Sequence, residues 1–458
     1  MSRVAPARRA AFEVVRRTFE QGAFADRALP AAARRHRLDA RDRALAKRLA
    51  YGSIQRRGTA DFVISRLADR SVEEIDAGPL AALRLGLYEL LFAGGTPDHA
   101  AVDQAVELAK GGRGAGRPAR ERGARFVNAV LRRAAREREP LLGELSDATA
   151  ADAAVALSHP RWLAEMWWRE LGPDAARALM AADNEPAETA LRVNSLRADP
   201  AAALRGLHAE GADVERPQVP PAPPESVVVH GAIGDAVASW IDDGRLVPQS
   251  RASALVVEVL DPRPGERVLD LCAGPGIKTT QIAARMRGAG EIVAVEKDPG
   301  RAGEVRDLCR VTGAAGVEVR VADAARDDLG GGYDRVLVDP PCSDLGTLAS
   351  RPDARWRKSV AGIERMAAVA GEIAFRGAAA LRPGGTLVYS TCTVSRRENE
   401  DQVGRLLGSG HAPLVADDLS SLHPGLASPH DARVLQTRPD RDRTDGFFVA
   451  RMRRDDDR

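Results

Sequence analysis

The sequence lacks long hydrophobic runs and has few cysteines, and these absences exclude several classes of protein. No apolar stretch approaches the roughly 18 residues needed to span a bilayer. The Arg-rich first twenty residues contain no apolar segment of a secretory signal, so we expect a cytoplasmic protein. Four cysteines in 458 residues have neither the density of a disulfide-rich domain nor the paired spacing of a metal site. We therefore expect reduced thiols, no bound metal and no membrane contact.

What the chain does contain is typical of a globular protein. Hydrophobic residues make up 44% of the sequence and charged residues 29%. A chain of 458 residues is long enough for two or three domains, each with its own core. We find no internal repeat, and we expect a monomer.

The net charge of +2 hides an asymmetry between the two ends of the chain. Residues 1–150 hold 28 Lys and Arg against 19 Asp and Glu, a net charge of +9, whereas the remainder has a net charge of −7. A basic module beside an acidic one favours binding of a polyanion by the first. An Ala- and Arg-rich coding bias explains the same counts equally well.

Residues 1–140 are predicted to form a bundle of helices. Apolar residues recur at helical spacing, and residues 80–92 are apolar on nearly every face, as in a central bundle helix. A glycine-rich break at residues 111–116 predicts a flexible loop. Arginines lie in and just after this loop, and we expect the first three of them to contact RNA: Arg113, Arg117, Arg120, Arg122 and Arg125.

The order and spacing of four helical segments resemble the NusB family of helical RNA-binding domains: Ala10–Val15, Asp42–Gly52, Leu83–Leu90 and Phe126–Arg133. Domains of this kind bind RNA or protein, and the sequence leaves both open.

Residues 141–247 are predicted to be a helical linker followed by a small α+β insert. The first part contains Trp162, Trp167 and Trp168, and a tryptophan cluster at helical spacing favours a core over a base-stacking platform. Short extended segments then surround the Pro-rich residues 217–224, which predict a stiff loop.

Residues 248–453 alternate between strands and helices. The predicted strands are 267–271, 291–296, 317–321, 334–338, 383–390 and 447–452, with helices over 252–260, 278–287 and 360–381. This alternation predicts a Rossmann-like, mostly parallel, doubly wound sheet. We expect residues 454–458 to be a frayed tail.

Four strand ends carry groups suited to a nucleotide-like cofactor. Gly274 and Gly276 follow the first strand of the sheet, where glycine allows a sharp turn and close approach of a ligand. Glu296 ends the next strand and suits hydrogen bonds to ribose hydroxyls; Asp323 and Asp339 end two more. This arrangement matches the S-adenosylmethionine methyltransferases.

Two cysteines, Cys342 and Cys392, follow strands of this sheet. A thiolate that adds to C6 of cytosine makes C5 nucleophilic, a donor at N3 stabilises the developing charge, and a base then removes the C5 proton. Cys392, Asp339 and Cys342 supply these groups if their loops converge.

Residues 191–453 resemble the RNA (cytosine-5)-methyltransferases of the Nol1/Nop2/Sun group in five segments: Arg192–Asn194, Cys272–Lys278, Asp339–Cys342, Ser390–Cys392 and Asp445–Phe448. With the NusB-like front end, the architecture resembles that of bacterial 16S rRNA (cytosine-5)-methyltransferases.

The resemblance implies that Cys392 is the nucleophile, that Cys342 assists release, and that Lys278 lies near cofactor and base. It implies contacts with S-adenosyl-L-methionine from eleven residues: Cys272, Ala273, Gly274, Pro275, Gly276, Ile277, Lys278, Glu296, Arg301, Asp323 and Asp339. Arg192 and Asn194 are expected to contact RNA. The chain departs from the family at Ile277, where glycine is usual, and at Pro340, where alanine is usual. Ile277 is harmless if it already belongs to the following helix, and strained if it needs a positive φ.

Four other functions fit parts of the sequence. Asp339-Pro340-Pro341 is similar to a motif of amino-methyltransferases, although those enzymes have an aromatic residue where this chain has Cys342. A DNA cytosine methyltransferase would use Cys342 as the nucleophile. Transfer RNA is an alternative substrate, and a non-catalytic RNA-binding or assembly factor would keep only the fold.

Overall fold

The computed structural model describes residues 4–111, 116–410 and 413–455. The chain divides into two compact units. The first comprises Met1–Pro186 and Leu348–Arg357, and the second comprises Ala187–Thr347 and Lys358–Arg458. The division at residue 186 falls inside the segment 141–247, which the sequence pattern groups together. No sequence pattern indicated that residues 348–357 belong to the first unit.

The first unit is helical, as predicted. Its α-helices are α1 (Pro6–Glu20), α2 (Ala25–Arg35), α3 (Ala40–Gln55), α4 (Arg57–Ala68), α5 (Ala77–Tyr88), α6 (Asp98–Lys110), α7 (Arg117–Arg136), α8 (Arg138–Gly143), α9 (Ala150–Ala156), α10 (Arg161–Leu171) and α11 (Pro173–Ala182). Short helical turns cover Val72–Glu74, Glu89–Ala93 and Ala354–Trp356. Helix α5 is buried along residues 81–87, in agreement with its apolar sequence. Trp167 in α10 has no exposed surface, so the core interpretation holds for this tryptophan.

Residues 348–357 are tied into the first unit by one buried arginine. Arg355 has no exposed surface, and its guanidinium donates hydrogen bonds to the backbone carbonyls of Ser158 and Asp183 and to the side chain of Asn184. A buried guanidinium with these partners has its donors largely satisfied. The contacts join residues far apart in sequence, which explains why no local pattern predicted them.

The second unit begins with the small α+β insert. It contains β1 (Ala190–Val193), α12 (Pro200–Ala209), β2 (Val214–Glu215), β3 (Ser226–Val229), α13 (Asp235–Asp242) and β4 (Leu246–Pro248). The strands form an antiparallel sheet in the order β2-β3-β1-β4. Apolar side chains from the sheet pack against Leu207 and Trp240 of the two helices. The predicted insert is therefore present.

The remainder of the second unit is built on an eight-stranded sheet. Its elements are α14 (Arg251–Leu260), β5 (Arg267–Leu271), α15 (Ile277–Arg285), β6 (Glu291–Glu296), α16 (Pro299–Thr312), β7 (Val317–Val321), β8 (Tyr333–Val338), α17 (Val360–Ala380), β9 (Leu381–Thr391), α18 (Glu400–Gly408), β10 (Leu414–Ala416), β11 (Leu435–Gln436), α19 (Pro439–Asp442) and β12 (Phe448–Arg454). The strand order is β10-β12-β9-β8-β5-β6-β7, with β11 paired to β12. Strands β5 to β9 are parallel, and β10, β11 and β12 pair antiparallel. The Rossmann-like, mostly parallel sheet is thus confirmed. The strands β5, β6, β8 and β9 place apolar side chains on both faces of the sheet because helices cover both, whereas the edge strand β7 is not buried.

The predicted tail at residues 454–458 is wrong at its first residue. Arg454 ends β12, where it pairs with Leu414, and its side chain donates to the carbonyl of Leu381. Asp455 donates its backbone N–H to Pro413. Residues 456–458 lie outside the described part of the chain. Across the ranges that are described, no helix has both the length and the apolarity to cross a membrane.

Candidate active site

The glycine turn after β5 is fixed by backbone conformation and tight packing. Gly276 has φ +100°, in the left-handed region that favours glycine, and it ends the turn. A Cβ on Gly274 would overlap the carboxylate of Glu296. Ile277 is the first residue of α15, so the isoleucine is helical and the departure from the family pattern causes no strain there. The turn therefore packs against Glu296 and leads directly into the N-terminus of α15, where backbone N–H groups suit an anion.

Glu296 holds this turn from the neighbouring strand. Its two carboxylate oxygens accept hydrogen bonds from the backbone N–H groups of Gly274 and Asp298, each at 3.0 Å. Arg301 donates to the carbonyl of Gly274, and its Nε lies 3.8 Å from Glu296. These three predicted cofactor residues thus contact one another. Asp323, at the end of the next strand, is paired with Lys297 at 2.8 Å.

Lys278 and Asp339 form an ion pair at the carboxyl edge of the sheet. Lys278 Nζ lies 2.8 Å from Asp339 Oδ2, and Ser390 Oγ donates to Asp339 Oδ1 at 2.8 Å. Burial alone would lower the pKa of Lys278, but the Asp339 carboxylate raises it above its usual value. Lys278 is therefore a cation at neutral pH, and it also lies 5.0 Å from the ring centre of Phe447.

The sulfur atoms of the two cysteines are joined by a hydrogen bond. Cys342 follows β8 and Cys392 follows β9, neighbouring parallel strands, and their Sγ atoms are 3.4 Å apart. Cys342 is 7% exposed and Cys392 is partly exposed. The loops that carry Cys342, Cys392 and Asp339 therefore converge at one edge of the sheet, and Lys278 lies beside Asp339.

The surroundings of Cys392 keep its sulfur protonated. The hydrogen bond with Cys342 and burial raise the pKa of Cys392 well above its usual range, and the negative charges of Asp344 and Asp339 raise it further. This is the opposite of a resting thiolate stabilised by cations.

Two acidic residues beside the cysteines were not found by sequence reasoning. Asp344 Oδ1 accepts a hydrogen bond from Cys392 Sγ at 3.3 Å, and its Oδ2 lies 2.8 Å from Lys358 Nζ. Glu398 accepts hydrogen bonds from the backbone and side chain of Ser343, and burial raises its pKa to about 7. The signal for Asp344 was its position two residues after Cys342.

Cys342, Asp344 and Cys392 offer atoms within 4.8 Å of one another, close enough to ligate one metal ion.

Asp270 is a third acidic residue that the sequence did not reveal as special. It lies within β5, is 1% exposed and accepts a hydrogen bond from Thr279 Oγ1 at 2.6 Å. Burial raises its pKa to about 7. A carboxyl group within an apolar strand was the available signal. Its contact with α15 holds the helix that carries Lys278.

Close glycine packing connects the two cysteine loops. Gly346 N–H donates to the carbonyl of Cys392 at 3.0 Å, and Gly446 N–H donates to Gly346 at 2.7 Å. A Cβ on Gly346 would overlap the Gly446 carbonyl.

Gly346→Ala is therefore expected to lower the free energy of unfolding by about 2 kcal/mol, measured by denaturant titration.

The matched control is Gly404→Ala in α18, where an added Cβ meets nothing within 4 Å. This helical substitution should be neutral or stabilising by up to about 1 kcal/mol. Equal stability of the two variants would contradict the tight contact at Gly346.

Arg192 and Asn194 do not lie where an RNA ligand could reach them. Arg192 is 1% exposed and donates to Gln249 at 2.6 Å and to Thr280 at 3.0 Å. Asn194 has no exposed surface and donates to the carbonyls of Gly244 and Thr312. The prediction that they contact RNA is wrong for this conformation, because both side chains are buried in contacts within the second unit.

The predicted RNA-binding arginines of the first unit lie around the start of α7. Arg113 lies outside the described residues. The Arg117 side chain is 86% exposed and pairs with Glu121 at 2.9 Å, and Arg120 is partly buried. Their contact with RNA stays a prediction.

Comparisons with protein families cover most of the chain. Residues 257–453 match the family described as 16S rRNA methyltransferase RsmB/F, and residues 5–136 match the NusB family. Residues 159–232 match the ferredoxin-like domain of RsmF/B-like methyltransferases. The three matches follow one another in the order of the helical bundle, the small sheet and the large sheet.

Relatives match over nearly the whole length. A putative methyltransferase of Mycobacterium tuberculosis is 35% identical, covering 98% of this chain and 96% of the relative. A probable ribosomal RNA small subunit methyltransferase B of Bacillus subtilis is 30% identical, covering 97% and 98%. The crystal structure titled PH0851 superposes with a TM-score of 0.81 at 25% identity, covering 98% of this chain and 99% of the other.

Proposed function

Because the chain belongs to the RsmB/F family of 16S rRNA methyltransferases, we propose that it methylates C5 of a cytosine in 16S rRNA through a covalent bond from Cys392. The observation that carries the proposal is the contact between the Cys342 and Cys392 sulfurs beside the Lys278–Asp339 pair. A pyrimidine ring is too weak a nucleophile at C5 to react directly, and addition of a thiol at C6 removes this obstacle. No other chemistry discussed above requires two thiols at this edge.

S-adenosyl-L-methionine, when bound, supplies an electrophilic methyl group. The residues of the glycine turn fit it, because glycine at 274 lets the turn pack against Glu296 and glycine at 276, with φ +100°, leads the chain directly into the N-terminus of α15. The backbone N–H groups that begin α15 suit the carboxylate of an amino acid, and Glu296 suits ribose hydroxyls. Burial raises the pKa of Cys272 in this turn, and the negative charges of Asp339 and Glu296 raise it further.

The remaining groups act on the cytosine. Cys392 bonds to C6, and Lys278 supplies the positive charge and the donor that the ring needs as electrons move toward N3. The sequence assigned the role at N3 to Asp339, but both Asp339 oxygens already accept hydrogen bonds, from Lys278 and Ser390, so we assign Asp339 the role of orienting Lys278. Cys342 removes the C5 proton so that the sulfur of Cys392 can leave. No resident metal takes part in this scheme.

The product identifies the function. Full-length protein incubated with S-adenosyl-L-methionine and a 16S rRNA transcript should produce 5-methylcytidine, measured by mass spectrometry of nucleosides and located by bisulfite sequencing. Methylation of transfer RNA alone would reassign the substrate but keep the chemistry. Methylation of an amino nitrogen, or no methylation of transcript or assembling subunit despite cofactor binding, would contradict the proposal.

A further inference from the structure

Resting on the proposed function, we propose that Asp344 is the general base that takes the proton of Cys392 as its sulfur adds to the cytosine. This role is separate from that of Cys392 as the nucleophile and that of Cys342 in release, and no sequence motif indicated it. The carboxylate of Asp344 lies between the thiol of Cys392 and the ammonium of Lys358.

The carboxylate of Asp344 is aimed at the sulfur. Cys392 Sγ donates to Asp344 Oδ1 at 3.3 Å, so this oxygen lies within reach of the thiol proton that it would receive. Lys358 Nζ holds the other oxygen at 2.8 Å. The backbone of Asp344 is fixed too, because its carbonyl accepts hydrogen bonds from the N–H and the hydroxyl of Thr347.

A base is needed because the resting sulfur is a thiol. The groups that face Cys392 are Cys342, Asp344 and Asp339, which raise its pKa, and the ammonium of Lys278, which interacts with it electrostatically. A thiol adds to a ring as a nucleophile only when its proton leaves before or during bond formation. A general base in contact removes the proton during addition, without forming a free thiolate among negative charges.

The neighbours of Asp344 are less suited to accept this proton. Asp339 accepts hydrogen bonds at both oxygens, from Lys278 and Ser390. Lys278 is protonated. The Cys342 sulfur touches Cys392, but it is needed for the C5 proton at the later step.

The proton and electron count closes over one turnover. The S–H proton moves to Asp344 Oδ1, the sulfur electron pair forms the S–C6 bond, and the C5=C6 pair forms the bond from C5 to the methyl group. The bond from this methyl group to the sulfonium sulfur breaks, and its electron pair stays on that sulfur, so that S-adenosylhomocysteine leaves. Cys342, after its own proton has passed to solvent, takes the C5 proton. The C5–H electron pair restores C5=C6, the S–C6 bond breaks with its pair on the sulfur, and Asp344 returns its proton to Cys392. The net result is one methyl group for one proton, which passes to solvent.

The test uses Asp344→Asn and RNA that holds the enzyme in its adduct. Asp344 has φ +58°, a conformation that asparagine also adopts, so the variant keeps shape and backbone. It loses the negative charge that accepts the proton and pairs with Lys358. A 16S rRNA transcript made with 5-fluorocytidine cannot release the enzyme, because fluorine does not leave as a cation. The rate of covalent protein–RNA adduct formation is measured on denaturing gels in single turnovers with S-adenosyl-L-methionine, from about pH 6 to about pH 10.

We expect the variant to form adduct about 100-fold more slowly at neutral pH. Its rate should rise about tenfold per pH unit, because it then depends on free thiolate, while the wild-type rate changes little with pH. Asp344→Glu should recover part of the rate. Asp344→Gly, which also suits a positive φ, should repeat the loss if the asparagine variant fails to fold.

The matched control is Glu364→Gln, which removes an exposed carboxylate of α17 paired with Arg397. It should keep the wild-type rate and pH profile. A wild-type rate and profile in Asp344→Asn, or a faster rate, would overturn the inference while leaving the proposed function intact. If the wild-type protein itself formed no adduct with the fluorinated RNA, the proposed function would fail first.

Discussion

Cys392→Ala is expected to abolish RNA methylation, with a loss of at least about 1,000-fold in turnover. The reason is that alanine leaves no atom able to bond C6, and C5 then stays unreactive toward the methyl donor. Removal of one partly exposed sulfur changes little of the packing, so binding of S-adenosyl-L-methionine should persist. Transfer of radioactive methyl groups to 16S rRNA measures the first effect, and calorimetry measures the second.

Cys309→Ala is the control for this experiment. Cys309 lies buried in α16, in the same unit, and the change removes the same atom away from the site. The control should methylate RNA at nearly the wild-type rate. Retention of more than a tenth of wild-type activity by Cys392→Ala would exclude this sulfur as the nucleophile.

Cys342→Ala is expected to have the opposite effect on the bond to RNA. The addition step keeps its nucleophile, so Cys392 still attacks, but the group that removes the C5 proton is missing. The methylated adduct should then accumulate to near one RNA per protein, while turnover falls by about 100-fold to 10,000-fold. The adduct is measured as a band of protein joined to RNA on a denaturing gel, with RNA that contains ordinary cytidine and no 5-fluorocytidine.

The double variant Cys342→Ala with Cys392→Ala should form no adduct and serves as the control. The roles would be reversed if Cys392→Ala trapped the adduct and Cys342→Ala did not. Cys342 would then be the attacking sulfur, as expected of a DNA cytosine methyltransferase.

Much of the fold follows from local sequence patterns. Strand β7 covers residues 317–321, as predicted, and α17 ends at Ala380, one residue before the predicted end. These elements have clear apolar periodicity and sharp ends. The pattern did not predict β10, β11 or the membership of residues 348–357 in the first unit, because short strands and long-range hydrogen bonds such as those of Arg355 have no local signature.

Much of the site that could be predicted lies just after a strand, whereas Lys278, in the first turn of α15, followed from the family resemblance. Cys342, Cys392 and Asp339 each follow a strand, and parallel strands bring their carboxyl ends to one edge. Arg192 carried a family motif, yet its position within β1 buries it among Gln249 and Thr280. Asp344 was missed because its importance depends on a contact across the loop to Cys392.

The central claim is a transient bond from the Cys392 sulfur to C6 of cytosine. Its most direct test is to digest the adduct formed with 5-fluorocytidine RNA and identify the modified peptide by mass spectrometry. We predict one nucleotide with one added methyl group, attached to Cys392. Attachment at Cys342, or methylated RNA with no protein bond, would contradict the claim.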